Sequence, residues 1–303
     1  MLEKIYESCK FVSENSQNVT INYEVIDEFI QEFKTPAFWL SSNPFGVLDF
    51  GCEKIINFLL IFHTIGDYSF WGEPKWEIDT EIGRLDGSFA MMYLILQRFQ
   101  QNSDFNMSFQ EFRNMLKGNV EIPLLQERYQ QLVLMNQFLN GKSFYQMIKD
   151  YQDDVSLFEF IVHSFPYYQD DAIYQDKTIY FYKRAQLITS DILHTRELVE
   201  GITVDYSHLI GCADYKIPQV MNNLGMMLYR EELNHKILHL EEIPEGDSCE
   251  IEIRANTLMV IDYIYEALHR QVARMDINDY IWLLGQDKSK ITKPYHRTRT
   301  IHY

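Results

Sequence analysis

Apolar residues along this chain recur every three to four positions far more often than every second, and that period restricts it to helices packed on helices. Val25, Phe29, Ile30 and Phe33 form one such stripe, and Gly46 to Ile65 is apolar nearly all round, as expected of a central buried helix. Asp86-Gly87 opens another helix after a loop rich in Gly, Pro and Trp, and Ser108 followed by Glu111 fits a capping box. The same patterning predicts helices through Leu124–Phe138, Val155–Ser164, Thr178–Leu198, Ile217–Tyr229, Asp247–Leu268 and Ile277–Leu284. Strand signals are sparse: Ser69–Trp71 beside Trp76–Ile78 as a short hairpin, and Lys236–Ile243 as an extended segment. Strands and helices do not alternate, Gly-x-Gly-x-x-Gly and the P-loop pattern are missing, and no internal repeat or low-complexity linker divides the chain. The expectation is a mainly α fold, a single helical domain over residues 1–303 with at most a few short strands.

With 46% hydrophobic and 15% aromatic residues, such a chain can bury a large core. Its formal charge of -17 opposes broad contact with a phosphate backbone, so a small-molecule substrate is expected and direct nucleic-acid binding is not. The longest apolar run, Ile55 to Ile65, is interrupted by Asn57 and His63 and is shorter than the roughly 20 residues of a membrane span. Acidic residues in Met1-Leu-Glu-Lys-Ile-Tyr-Glu7 do not suit a signal peptide, so a soluble, cytoplasmic protein is expected. Cys9, Cys52, Cys212 and Cys249 form no Cys-x-x-Cys pair, which indicates free thiols and neither disulfides nor zinc. His235 and His239 lack a third histidine at ligand spacing; no metal and no cofactor are expected. The clusters Asp150/Asp153/Asp154 and Asp170/Asp171 lack calcium-loop spacing and read as solvated loops.

Three charged residues sit inside otherwise apolar sequence. On a helix through Thr178–Leu198, Phe181, Ala185, Ile188 and Ile192 make the apolar stripe and Lys183 faces away from it. Ile179 and Leu187, four residues either side, give that second face apolar character too, so Lys183 fits either a solvated lysine or one lining a cavity. Asp214 precedes a stripe of Ile217, Val220, Met221, Leu224 and Leu228, where an N-cap and a catalytic carboxylate make the same local prediction. Asp247 with Glu250 fits a capping box, which places Arg254 on a stripe with Ile251, Ala255 and Leu258 and requires a carboxylate or phosphate partner for it. Aromatic residues gather at Tyr68-Ser-Phe-Trp71 with Trp76, suited to core packing or to stacking on a planar base. The basic segment Lys288–Tyr303 reads as a disordered tail or as a phosphate pocket.

The segments Phe181-Tyr-Lys-Arg-Ala-Gln-Leu187, Gly211-Cys-Ala-Asp-Tyr-Lys-Ile-Pro-Gln-Val220, Asn223-Leu-Gly225 and Glu250-Ile-Glu-Ile-Arg-Ala255 resemble the queuosine salvage protein family. The likeness extends to Tyr68–Trp71, Asp86-Gly87 and Pro294–Thr300, most of the chain. It implies a helical enzyme, distantly similar in fold to DNA glycosylases, that hydrolyses queuosine 5′-phosphate and releases the base queuine. By matching segment, Asp214 becomes the catalytic carboxylate and Lys183 its active-site partner. An ionised Asp214 would stabilise an oxocarbenium-like state and orient water for attack at C1′. Queuine is a 7-deazaguanine, so the leaving base offers carbon in place of N7, and donors or acids must meet its other edges. The resemblance assigns those contacts to Asp67, Glu250 or Glu252, with Phe70 and Trp71 stacking and Tyr215 beside the catalytic acid. Arg254, His296, Arg297 and Arg299 are the expected phosphate ligands.

Two departures from the family's pattern bear on the base contacts: Ser69 stands where cysteine is expected, and the helix from Asp86 lacks a second tryptophan. A non-hydrolytic queuine- or nucleotide-binding protein is the competing reading. It would keep the aromatic pocket without needing Asp214.

Overall fold

In a computed structural model, residues 1–42, 45–101, 104–287, 289 and 291–303 are described. Lys288 and Lys290 of the basic segment therefore lie outside the described residues. The helices in chain order are α1 Leu2–Asn15, α2 Tyr23–Glu32, α3 Cys52–Ile65, α4 Gly87–Gln101, α5 Phe109–Met115, α6 Leu125–Leu139, α7 Phe144–Ile148, α8 Asp154–Ser164, α9 Lys183–Glu200, α10 Lys216–Leu224, α11 Glu231–Leu238, α12 Ser248–Ala267 and α13 Arg274–Leu284. Among the described residues, strands form three antiparallel pairs: β1 Val19–Ile21 with β6 Met227–Tyr229, β2 Glu77–Thr80 with β3 Gly83–Asp86, and β4 Asp171–Tyr174 with β5 Lys177–Tyr180. The fold is mainly α, and one buried apolar cluster runs from Leu2 to Ile281.

Several elements depart from their sequence patterns for local reasons. The helix expected from Thr178 begins at Lys183, because Lys177–Tyr180 pairs with Asp171–Tyr174 across a turn whose Gln175 and Asp176 both have positive φ. No glycine announces that turn. Tyr182, also at positive φ, then breaks the strand from the helix. The expected pairing of Ser69–Trp71 with Trp76–Ile78 is not made; Glu77 and Ile78 pair forward with Asp86 and Leu85. Met227–Tyr229 leaves the expected helix after Gly225 to pair with β1, and Lys236–Leu238 is helical. The capping box at Ser108 and Glu111 is present with both hydrogen bonds. Asp247 caps α12 through the Cys249 amide, but Glu250 is drawn into the interior instead of closing a box.

Three helices position the site. α3 is apolar and buried from Phe58 to Ile65. α9 is buried almost all round from Lys183 to Arg196 despite carrying Arg184, Gln186, Thr189, Ser190, Asp191 and His194, so its polar groups must be paired internally. α12 is buried from Glu250 to Leu258. The C-terminal end of α3 is closed by two buried arginines. Arg184 donates to the carbonyls of His63 and Thr64, and Arg128 to those of Ile65, Tyr68 and Ser69. Both guanidinium groups also lie against the Tyr68 ring, 4.3 and 4.5 Å from its centroid.

Candidate active site

A cleft opens where the C-terminal end of α3 meets the N-termini of α4, α9 and α10 and the inner face of α13. Its polar floor is Asp67, Lys183 and Asp214; Phe70, Tyr215 and Trp282 are among the aromatic walls. Gly87 joins β3 to α4 at the rim with φ of +54°, a conformation that disfavours other residues. A Cβ there would stand 3.9 Å from the Phe70 ring.

Lys183 is the first residue of α9, and its ammonium lies 2.7 Å from Asp67 Oδ1. Asp67 Oδ2 faces His63 Nδ1 at 3.2 Å, and His63 Nε2 faces Asp191 Oδ2 at 2.9 Å. Asp191 Oδ1 then accepts the Trp39 indole N–H at 2.9 Å. Positive and negative groups thus alternate through the interior. Burial alone would raise the Asp67 carboxyl, but Lys183 and His63 hold it well below the usual carboxylate range. Burial works against a charged His63, yet its two carboxylate partners raise it above the ordinary imidazole value.

Asp214 sits at the entry to α10, where its Oδ1 accepts the Ile217 amide at 2.8 Å. Burial raises its carboxyl above the ordinary value, while Lys183 and the Ile217 N–H pull it back. Burial opposes a charged Lys183, but Asp67 first and Asp214 after it raise its ammonium above the ordinary lysine value. The lysine's direct partner is therefore Asp67, and its link to Asp214 is electrostatic. Asp279 on α13 adds a further carboxylate to the cleft, pushed up to about 7 by burial and by Asp191.

Of the residues singled out in sequence, Asp67, Phe70, Lys183, Asp214 and Tyr215 line the cleft. Phe70 stacks on Trp76 with centroids 6.0 Å apart, and Tyr215 packs on Tyr295 at 4.8 Å. The others are engaged elsewhere. Trp71 donates to the Thr298 carbonyl and lies beneath Arg299, whose guanidinium is 4.2 Å from its centroid. Arg299 also approaches Glu242, and Arg297 pairs with Glu73 at 2.6 Å. His296 is buried against the Tyr303 hydroxyl at 3.2 Å, and burial pushes its imidazole down to about 3, so it is neutral and unsuited to a phosphate. Arg254 is committed to an internal ion pair with Asp170, and Glu250 accepts from Tyr303 at 2.9 Å. Glu252 is likewise buried, accepting from Ser16, from the amides of Gln17 and Asn18, and from Tyr174. Arg254, His296, Arg297 and Arg299, the expected phosphate ligands, thus do not line this cleft, and their side chains are engaged in packing of the C-terminal segment and the core. Among the described residues, His63, Lys75, Lys183 and Lys216 are the basic ones that line the cleft.

Two acidic clusters read as solvated loops are so only in part: Asp150 and Asp171 are exposed, but one carboxylate of each cluster is buried. Asp154 is fully buried and accepts the amides of His208 and Leu209, and Asp170 is buried with Arg254. His63 and Asp191 also escaped notice as site residues. The signal for His63 was its interruption of an apolar run; for Asp191, on a polar-looking helix, there was none.

Fold and site define a mainly α protein whose aromatic-walled cleft holds a buried carboxylate–lysine–carboxylate centre. The chain belongs to the queuosine salvage protein family, whose model matches residues 49–303. A queuosine 5′-phosphate N-glycosylase/hydrolase of Sphaerobacter thermophilus is 30% identical over 96% of this chain and 95% of its own. Proteins of the same description from Mus musculus and Dictyostelium discoideum are 28% and 27% identical, covering 98% and 99% of their own lengths. No helix among the described residues is long and apolar enough to cross a membrane.

Proposed function

We propose that this protein hydrolyses the N-glycosidic bond of queuosine 5′-phosphate and releases queuine. The observation that carries the reading is the Asp214 carboxylate, fixed by a helix-terminal amide and facing a cleft that also holds Lys183 and Asp67. The full-length likeness to proteins described by that activity supports the substrate.

In this reading Asp214 faces the sugar at C1′. Its negative charge stabilises the oxocarbenium-like state as the bond to the base lengthens, and its second oxygen orients the attacking water and takes its proton. Burial raises the Asp214 carboxyl, and Lys183 opposes that shift and favours the ionised form. Phe70 and Tyr215 offer aromatic surface to the base, and Asp67 an acceptor edge. The departing base takes up a proton away from the carbon that replaces N7. The phosphate is assigned to the part of the cleft lined by Lys75, Lys216, Gly87 and Ser88, where Lys75 would exchange its 2.7 Å pairing with Asp86 for the anion, since helix N–H groups and ammonium groups suit an anion. A single domain over residues 1–303 and a cytoplasmic setting belong to the same proposal, supported by the continuous core and the four unpaired cysteines.

Incubating purified protein with queuosine 5′-phosphate, queuosine and guanosine 5′-phosphate, with released base followed by mass, tests the reading. Queuine is expected from the first. No base from any of the three overturns it.

A further inference from the structure

We infer that the buried Asp170–Arg254 pair is a positioning element for this reaction, holding the backbone beside Lys183 and the backbone beside Asp214 in one fixed frame. The inference rests on the roles proposed above for those two residues.

Asp170 lies between the turn Pro166–Tyr168 and β4, and Arg254 lies in the middle of α12. Asp170 Oδ1 and Oδ2 accept the two terminal nitrogens of Arg254 at 2.9 and 2.6 Å. The fork then reaches both sides of the cleft through the main chain. Arg254 Nε donates to the carbonyl of Ala213, which forms the peptide bond to Asp214, at 3.0 Å. Asp170 Oδ2 accepts the amide of Lys183 at 3.2 Å, and the Asp170 carbonyl accepts the amides of Phe181 and Tyr182 at 2.9 and 3.3 Å. One ion pair is therefore bonded directly to the peptide groups from which both candidate catalytic side chains emerge.

The frame has little freedom. Both side chains are 3% exposed, and the guanidinium is sandwiched 3.9 Å from the Phe181 centroid and 4.4 Å from that of Tyr303. Its remaining carboxylate neighbour, Glu250 at 3.4 Å, is itself held by the Tyr303 hydroxyl. Neither Asp170 nor Arg254 lines the cleft, so neither touches substrate and both act through the backbone. Stability alone does not account for them, because apolar side chains of similar volume fill such a place as well or better. What apolar side chains cannot do is bind a carbonyl of one segment and an amide of another at fixed angles.

Asp170→Asn removes the charge and turns one acceptor into a donor facing Arg254 and the Lys183 amide. In the folded variant, assayed well below its melting temperature, kcat is expected to fall about tenfold or more while KM and affinity for free queuine change less than about twofold. The acid limb of kcat/KM is expected to move to higher pH. Asp214 is faced by Lys183 from α9, Asp67 from just beyond α3, Lys216 from α10, Tyr215 and Cys212 from its own loop and Asp279 across the cleft. Of these, Lys183 is the principal cation, and drawing it away leaves burial less opposed. Arg254→Lys keeps the charge and the space but loses the fork; it decides the matter where Asp170→Asn does not fold, with the same changes expected in smaller measure. Folded variants with a lowered melting temperature but the parent's kcat and acid limb overturn the inference. Carbon-13 titration of the Asp214 carboxyl without substrate separates it from the activity itself. A parent protein that releases no base defeats the proposed function alone, whereas an Asp214 titration unmoved in both variants defeats the frame.

Discussion

Lys183 bonds to Asp67 at 2.7 Å, whereas Asp214 bonds to the Ile217 amide at 2.8 Å; the two catalytic candidates share charge but no hydrogen bond. Substitutions at the two positions therefore have separable effects.

Asp214→Asn keeps an acceptor for the Ile217 amide, and asparagine caps helices as well as aspartate does. Stability is expected to change by less than about 1 kcal/mol, while base release falls by about 10²- to 10⁴-fold. A thermal melt and a mass assay on one preparation check both halves. Undiminished turnover would remove Asp214 from the mechanism.

Lys183→Met leaves Asp67 buried with His63 as its remaining cation, and the variant is expected to lose about 3–5 kcal/mol near neutral pH. The sign with pH follows from Asp67. Its folded carboxyl is held below its unfolded value, so the stabilisation is complete above about pH 4 and is lost as pH falls through the folded value. Parent and variant should converge in acid. Urea denaturation between neutral pH and strong acid measures the gap, and a gap that widened in acid would contradict the assignment.

His296 gives a dependence of the same sign at higher pH, here from a burial penalty instead of an ion pair. Its folded value near 3 lies below the unfolded value of about 6.5, so between these the unfolded chain binds the extra proton and stability rises with pH. His296→Gln is expected to remove a slope of about 1.4 kcal/mol per pH unit across that window. Melting curves from pH 4 to pH 6.5 check this, and parallel slopes would show a solvated imidazole.

Arg297 is paired with Glu73 outside the cleft, so Arg297→Ala should affect queuosine 5′-phosphate and queuosine equally. Lys75→Met, at the rim, should lower kcat/KM for the phosphorylated substrate about tenfold more than for the nucleoside. The ratio of the two substrates in each variant is the measurement. A selective loss in Arg297→Ala would return the C-terminal segment to phosphate binding.

Helical stripes were legible wherever one apolar face carried the burial, as at Val25–Phe33 or Ile217–Leu224. That Asp214 accepts an amide of the first turn of α10 was legible too, although the N-cap position itself falls on Tyr215. What escaped was pairing between distant segments. Arg254 plainly needed an anion, but nothing in sequence pointed to Asp170, 84 residues earlier and beside an exposed Asp171. α9 was hard to read for the opposite reason: its buried polar residues look solvated until Asp67, His63 and the α3 carbonyls come to meet them. Glu250 looked like a capping residue and is a core acceptor, a choice set by the arrival of Tyr303 from the far end of the chain.

The two arginines that close α3 carry a kinetic consequence. Carbonyls at helix ends normally trade partners with solvent, which lets the last turn fray and its amides exchange quickly. Here those carbonyls, and the ones of Tyr68 and Ser69 beyond them, are held by guanidinium groups inside the core. To open locally, the stretch bearing His63 and Asp67 therefore has to break these bonds. Its amides should exchange with deuterium at the rate of global unfolding, which makes the cleft's floor one of the last parts of the molecule to come apart.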